Sequence, residues 1–237
     1  MRATYIDHSG FFLEGERSCL LFDYYRGELP EVPAGKQLVA FASHHHPDHY
    51  VPEMFAYGER ARDTRYLLGC DVTLNAVNRQ RMGVSDDAFA RCTRMHKDDV
   101  VVANGATVRA LRSTDMGVAF YVECEDRHIY FAGDHNLWIW HEDANFDRVQ
   151  VARFYEEIEK LRGLRIDAAF LPLDPRLGEE YWRGFDAFAR LLEPAHIFPM
   201  HMVGDYDIIR RMKARDCARP YRARIAEIRQ GGDCFEF

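Results

Sequence analysis

The sequence predicts an α/β (α+β) protein built from two β-sheets covered by helices. Three observations predict it. Between Val100 and Ala132, four apolar runs alternate with polar turns: Val100–Val102, Thr107–Leu111, Gly117–Val122 and Ile129–Ala132. That is the pattern of successive strands. Farther on, Val151, Phe154, Tyr155, Ile158 and Leu161 recur at helical spacing, as do Leu177, Tyr181, Phe185, Phe188 and Leu192. Each set lays one apolar stripe on a helix. Short continuous apolar runs at Gln37–Ala42, Ile166–Leu171 and Ala195–Pro199 stand among these and suit buried strands. Stacked sheets with helices outside bury both kinds of surface.

In chain order, Phe11-Phe12-Leu13 and Cys19-Leu20-Leu21-Phe22 flank the polar turn Glu14-Gly15-Glu16-Arg17, which predicts a hairpin. The strand Gln37–Ala42 runs directly into a histidine cluster. Weaker helical and strand signals fill the stretch to Asp99. After the four β runs, the first helical stripe stops at Gly163, where a glycine suits the end of a helix. The strand Ile166–Leu171, the second stripe, the strand Ala195–Pro199 and a third helix over Asp205–Ala214 follow. No linker, repeat or low-complexity tract divides residues 1–237, which read as one domain.

Composition excludes several classes. With 47% apolar and 13% aromatic residues among 237, the chain is not a disordered polymer. No run approaches the roughly 18 apolar residues of a membrane helix, so no membrane partner is expected. Met1–His8 lacks the basic and apolar regions of a secretory signal. Lys plus Arg is 31 against 38 Asp plus Glu, a net charge of −7, and the densest basic patch is Arg210-Arg211-Met212-Lys213. A nucleic-acid partner is therefore not expected. The cysteines, at 19, 70, 92, 124, 217 and 234, form no CxxC pair and read as thiols in a reducing cytoplasm.

Ser43-His44-His45-His46-Pro47-Asp48-His49 carries the chemistry. His44 and His46 are two apart, so on an extended chain their rings share a side while His45 faces the other way. Pro47 keeps His46 out of the helical region. Asp48 and His49 follow the proline turn and can approach a second, neighbouring metal position. Imidazole nitrogen with carboxylate oxygen suits zinc first, and also manganese or iron. Two other strand ends add candidates. Phe131-Ala132-Gly133-Asp134-His135 places Asp134 after a glycine that permits close backbone approach, and Phe198-Pro199-Met200-His201 ends a strand in a histidine.

HHHPDH at 44–49, AGDH at 132–135 and PMH at 199–201 resemble, in order and interval, the motifs of the metallo-β-lactamase superfamily. The resemblance spans nearly the whole chain. It implies a four-layer αβ/βα sandwich of two mixed β-sheets with a centre for two divalent metal ions at one edge. It assigns His44 and His46 to a first metal and Asp48, His49 and His201 to a second, with Asp134 bridging. It also gives Asp48 a catalytic role in orienting a metal-activated hydroxide and moving its proton. Within the superfamily the chain resembles the simple, insertion-free branch of metal-dependent hydrolases, akin to ascorbate-phosphate lactonases. His8-Ser9-Gly10-Phe11 and Pro172-Leu173-Asp174-Pro175-Arg176 resemble phrases of that branch.

One departure stands out. Where the superfamily has a further first-site histidine, this chain has Ser113-Thr114-Asp115. Either Asp115 takes its place as an oxygen ligand, or the first site is weakened and Asp115 caps a turn. His8 is a candidate at the rim for substrate binding, or a turn histidine. Arg176 is a candidate for an anionic substrate group, or for a salt bridge. His135 neighbours a ligand or faces solvent. Trp138 and Trp140 would wall a substrate pocket, or pack in the core or between subunits of a homo-oligomer. The function expected is hydrolysis of an ester, lactone or phosphoester bond of a small-molecule substrate. A non-enzymatic scaffold with an incomplete first site is the rival, and a nuclease a weaker one.

Overall fold

Strands with apolar residues on both faces can be buried only between layers, and this governs the architecture. The computed structural model describes residues 1–237. The first sheet takes β1 (Arg2–Asp7), β2 (Gly10–Glu14), β3 (Ser18–Phe22), β4 (Gln37–Ala42), β5 (Thr64–Gly69) and β6 (Cys92–Met95) side by side in chain order. The second takes β7 (Val100–Ala103), β8 (Ala106–Arg112), β9 (Val118–Cys124), β10 (Arg127–Phe131), β11 (Ala168–Pro172) and β12 (His196–Met200) likewise. A last strand, β13 (Cys234–Glu236), returns to pair with β1 at the open edge of the first sheet. Both sheets are mixed: hairpin-linked strands run antiparallel, and β3-β4-β5-β6 and β10-β11-β12 run parallel.

Helices cover the outer faces. α1 (Glu53–Gly58), α2 (Ala76–Met82) and α3 (Asp86–Ala90) belong to the first sheet's connections. Leu21, Leu38, Ala40 and Tyr66 on that sheet pack with Met54, Phe55 and Tyr57 of α1 in a smaller apolar cluster. α4 (Ala144–Glu159), α5 (Arg183–Leu192) and α6 (Asp207–Ala214) follow the second sheet, and their buried apolar side chains join the main core. Between the sheets lies an aromatic stack. Phe22 stacks on Phe41 at 4.4 Å and on Phe131 at 4.6 Å, and Phe170 stacks on Phe198 at 4.7 Å. These phenylalanines sit near the strand ends that carry the site.

The hairpin, the four β runs and the first stripe appear as predicted, with bounds shifted by a few residues. The second stripe does not form one helix. Asp174 caps a short 3-10 turn over Pro175–Glu180, Gly178 breaks it at φ 56° and ψ −123°, and α5 starts only at Arg183. Only glycine takes that conformation readily. No helix is long and apolar enough to cross a membrane.

Candidate metal centre

The site is built on the loops that leave the strand ends. His8 follows β1, Asp23 follows β3, Ser43 and His44 follow β4, Asp134 lies past β10, Asp174 past β11 and His201 directly after β12. His8, Asp23 and His201 hold left-handed backbone at φ 53°, 40° and 60°, an uncommon state for such residues that concentrates at functional sites. The turn out of the strand throws each side chain toward one common point.

The histidine motif, Asp134 and His201 converge there. Asp134 is 5% exposed and sits between two groups of imidazoles. Its Oδ2 is 3.5 Å from His44 Nε2, while its Oδ1 is 3.2 Å from His49 Nε2 and 3.4 Å from His201 Nε2. His44, His46, Asp115 and Asp134 can each offer an atom within 4.8 Å of the others, and so can His8, Asp48, His49 and His201. Asp115 Oδ2 stands 3.8 Å from His46 Nδ1, so the residue in the place of the missing histidine does face the first group. Its turn is fastened to the Asp134 loop by Thr114 Oγ1, which donates to the Asn136 carbonyl at 2.7 Å and accepts from the Asn136 N–H at 2.9 Å. His45 turns away and lies 2.6 Å from Asp71.

His8 goes deeper than the rim where the sequence places it. Its ring is 4.1 Å from that of His201 and its Nε2 is 3.3 Å from Asp48 Oδ2. Arg176 makes the salt bridge weighed against anion binding: its Nη2 is 2.6 Å from Asp174. His135 does not face solvent. It is 3% exposed and stacks on Phe154 at 5.0 Å.

Three supporting residues were not singled out from the sequence. Asp23 accepts from Ser43 N–H and Ser43 Oγ and stands 2.7 Å from His49 Nδ1. Asp174 is 2.9 Å from His201 Nδ1, and Ser43 Oγ is 2.9 Å from His44 Nδ1. The far nitrogen of each of these rings is thus held by an oxygen, which orients the ring and leaves Nε2 toward the centre, as in histidine metal sites.

Electrostatics agree with that use. Burial pushes His44 down to about 3 and pushes His49 and His201 below the usual imidazole range, so their lone pairs are free. Burial raises Asp134 well above the carboxylate range, reinforced by the Asp115 charge. It also raises Asp23 to about 7. Asp48 is held below the usual range, chiefly by His8. Burial works against the charge on Asp174, but His201 and Arg176 outweigh it and hold the carboxyl at about 2. His49 Nε2 and Asp134 Oδ1 are buried, close together and without a hydrogen-bond partner. Two acceptors facing one another need a cation between them or a proton, and the imidazole and carboxylate donors fit a divalent metal.

No family model matches the sequence, and no curated protein does. Solved structures do match over nearly the full length. The metallo hydrolase Igni18 from Ignicoccus hospitalis superposes with a TM-score of 0.62 at 14% identity, covering 100% of this chain and 98% of that one. The isothiocyanate hydrolase from Delia radicum gut bacteria gives 0.62 at 12% identity, covering 100% and 99%. The metallo-β-lactamase fold protein YhfI from Bacillus subtilis gives 0.60 at 12%, covering 99% of each chain. At such identities the likeness is one of architecture, and it gives this chain the metallo-β-lactamase fold.

Proposed function

We propose that this chain is a metal-dependent hydrolase that directs water at an ester, lactone or phosphoester bond of a small molecule. The observation that carries the reading is Asp134, a buried carboxylate with one oxygen toward His44 and the other toward His49 and His201. His44, His46, Asp115 and Asp134 would hold one cation. Asp48, His49, His201 and Asp134 would hold another, with His8 in reach. Zinc suits the imidazoles, and the extra carboxylate of Asp115 moves the preference toward manganese or iron. When bound, the cations supply Lewis acidity, making water reactive near neutral pH and drawing charge from the reacting carbonyl or phosphoryl group.

The chain does the rest. Asp23, Asp174 and Ser43 fix the rings so that no reorganisation is needed during reaction. Asp48, kept ionised beside His8 Nε2 at 3.3 Å, accepts a proton from the attacking water and, being the more exposed of the two, releases it to solvent. One water is consumed: its oxygen bonds to carbon or phosphorus, the ester bond breaks, and a proton leaves with the alcohol. A cavity of about 220 Å³ opens beside Asp115 and Asp134, with room for a small substrate. The six unbonded cysteines support a reducing, cytoplasmic setting.

The test is a panel of lactones, aryl esters and phosphodiesters offered to protein reconstituted with zinc or manganese. Turnover should disappear on chelation, return with metal, and be absent from a variant carrying His44→Ala and His46→Ala. Turnover that survives chelation and both substitutions overturns the reading.

A further inference from the structure

The cavity beside Asp115 and Asp134 has other walls that take no part in the cluster, and they differ in chemistry. One wall is aromatic. Trp138 and Trp140 lie parallel, 6.1 Å between ring centroids and 5° between planes. Trp138 is pinned by its Nε1, which donates to the Asp134 carbonyl at 2.8 Å. Trp140 and Phe146 remain 40% and 45% exposed, so these large faces border the cavity without being covered. A second wall is Gln150 of α4. It is 5% exposed, its Oε1 is buried without a partner, and its amide makes no hydrogen bond within the chain. The orphaned Oε1 is an acceptor that no anion can satisfy, so it is the Nε2 hydrogens, which make no hydrogen bond within the chain, that remain to serve one. The third wall is Arg176. Its Nε and Nη2 grip Asp174 at 3.0 and 2.6 Å, which leaves Nη1 unspent. At about 220 Å³ the space falls below the 300–1,000 Å³ of pockets for drug-sized ligands, so a single small ring fits.

We propose that this cavity selects substrates in which a flat aromatic ring carries an anionic group, the ring lying along Trp138, Trp140 and Phe146 and the anion meeting Arg176 and the Gln150 amide. The aromatic wall supplies stacking surface. The guanidinium supplies charge-assisted hydrogen bonds already oriented by Asp174. With Asp48, Asp115 and Asp134 neutralised by bound cations, the Nη1 edge of Arg176 is the donor left beside the ring, its charge already shared with Asp174. The inference rests on the hydrolase reading for the place of the scissile bond, but its test needs no turnover.

Benzenesulfonate, methanesulfonate and benzyl alcohol are titrated into the metal-loaded protein and followed by calorimetry and tryptophan fluorescence. These probes carry ring and anion, anion alone, and ring alone. Benzenesulfonate should bind at least about tenfold more tightly than either of the others and alter tryptophan emission. Trp140→Ala should remove most of the advantage over methanesulfonate. Arg176→Gln, with metal content checked, should remove most of the advantage over benzyl alcohol. Equal binding of the three probes, no binding of any, or a Trp140→Ala variant with unchanged preference overturns the inference. Selective binding without turnover on the ester panel would defeat the hydrolase reading alone, and turnover without selectivity would defeat this one alone.

Discussion

A carboxylate as deeply buried as Asp134 persists only with partners, and here they come from both sides. Asp115 tests the departure from the usual first-site histidine. Asp115→Ala should lose one metal ion per chain and keep the other, with hydrolysis reduced at least about 100-fold; elemental analysis of the reconstituted variant checks this. His135 makes a separate prediction. Burial holds it neutral in the folded chain down to about 4, while the unfolded chain takes up a proton near 6.5. Between those values the unfolded state binds more protons, so stability falls as pH drops from 6.5 through 4, by at most about 3 kcal/mol for this residue. His135→Phe keeps the stacking on Phe154 and removes the titration. Denaturant unfolding of both proteins at pH 7 and pH 5 should show the variant gaining on the parent at the lower pH. Among residues, the H-x-H-x-D-H cluster was legible because dense histidine beside a proline has few other uses. Asp23 and Asp174 were not. A lone aspartate after an apolar run is ordinary, and theirs are long-range pairings, 26 and 27 residues away in sequence at His49 and His201.

At the scale of elements, the Ser43 peptide is where the two sheets meet. Its N–H donates to Asp23 at the end of β3, and its carbonyl accepts from Val118 at the start of β9. Gly117, at φ 63°, packs so closely that a Cβ would come within 2.0 Å of the Ser43 carbonyl oxygen. Gly117→Ala should therefore cost at least about 2 kcal/mol and weaken metal binding, since the clash displaces the peptide that leads into His44. Thermal unfolding with and without added zinc separates the two effects: a purely structural role lowers stability in both conditions equally. Strands and helices with regular apolar spacing were legible. The break in the second stripe was not, because Leu177 and Tyr181 keep helical spacing across Gly178 although the backbone does not. The short α1, α2 and α3 gave only weak signals from which no bounds could be read. They have little periodicity of their own, and α1 is held by its packing on the first sheet.

At the scale of the molecule, two sheets bring strand ends from residues 7 to 200 to one edge, and the stack of Phe22, Phe41, Phe131, Phe170 and Phe198 fixes their relative position just beneath it. Cations bound across both sheets would tie them together, so loading should stabilise the whole fold. At a thousand times the dissociation constant the gain is about 4 kcal/mol, a rise in melting temperature of roughly ten degrees for a chain this long. Calorimetry before and after chelation measures it. The layered architecture was legible from patterning, and Trp138, Trp140 and Arg176 stood among the candidates for the pocket, whereas Gln150 and Phe146 did not, since they reach the cavity from a helix whose apolar stripe faces the core. The most direct test of the central claim is a crystal of metal-loaded protein measured at the metal's absorption edge. Two anomalous peaks are predicted, one among His44, His46 and Asp115 and one among Asp48, His49 and His201, with Asp134 touching both. A single peak, or two with Asp134 touching neither, would contradict it.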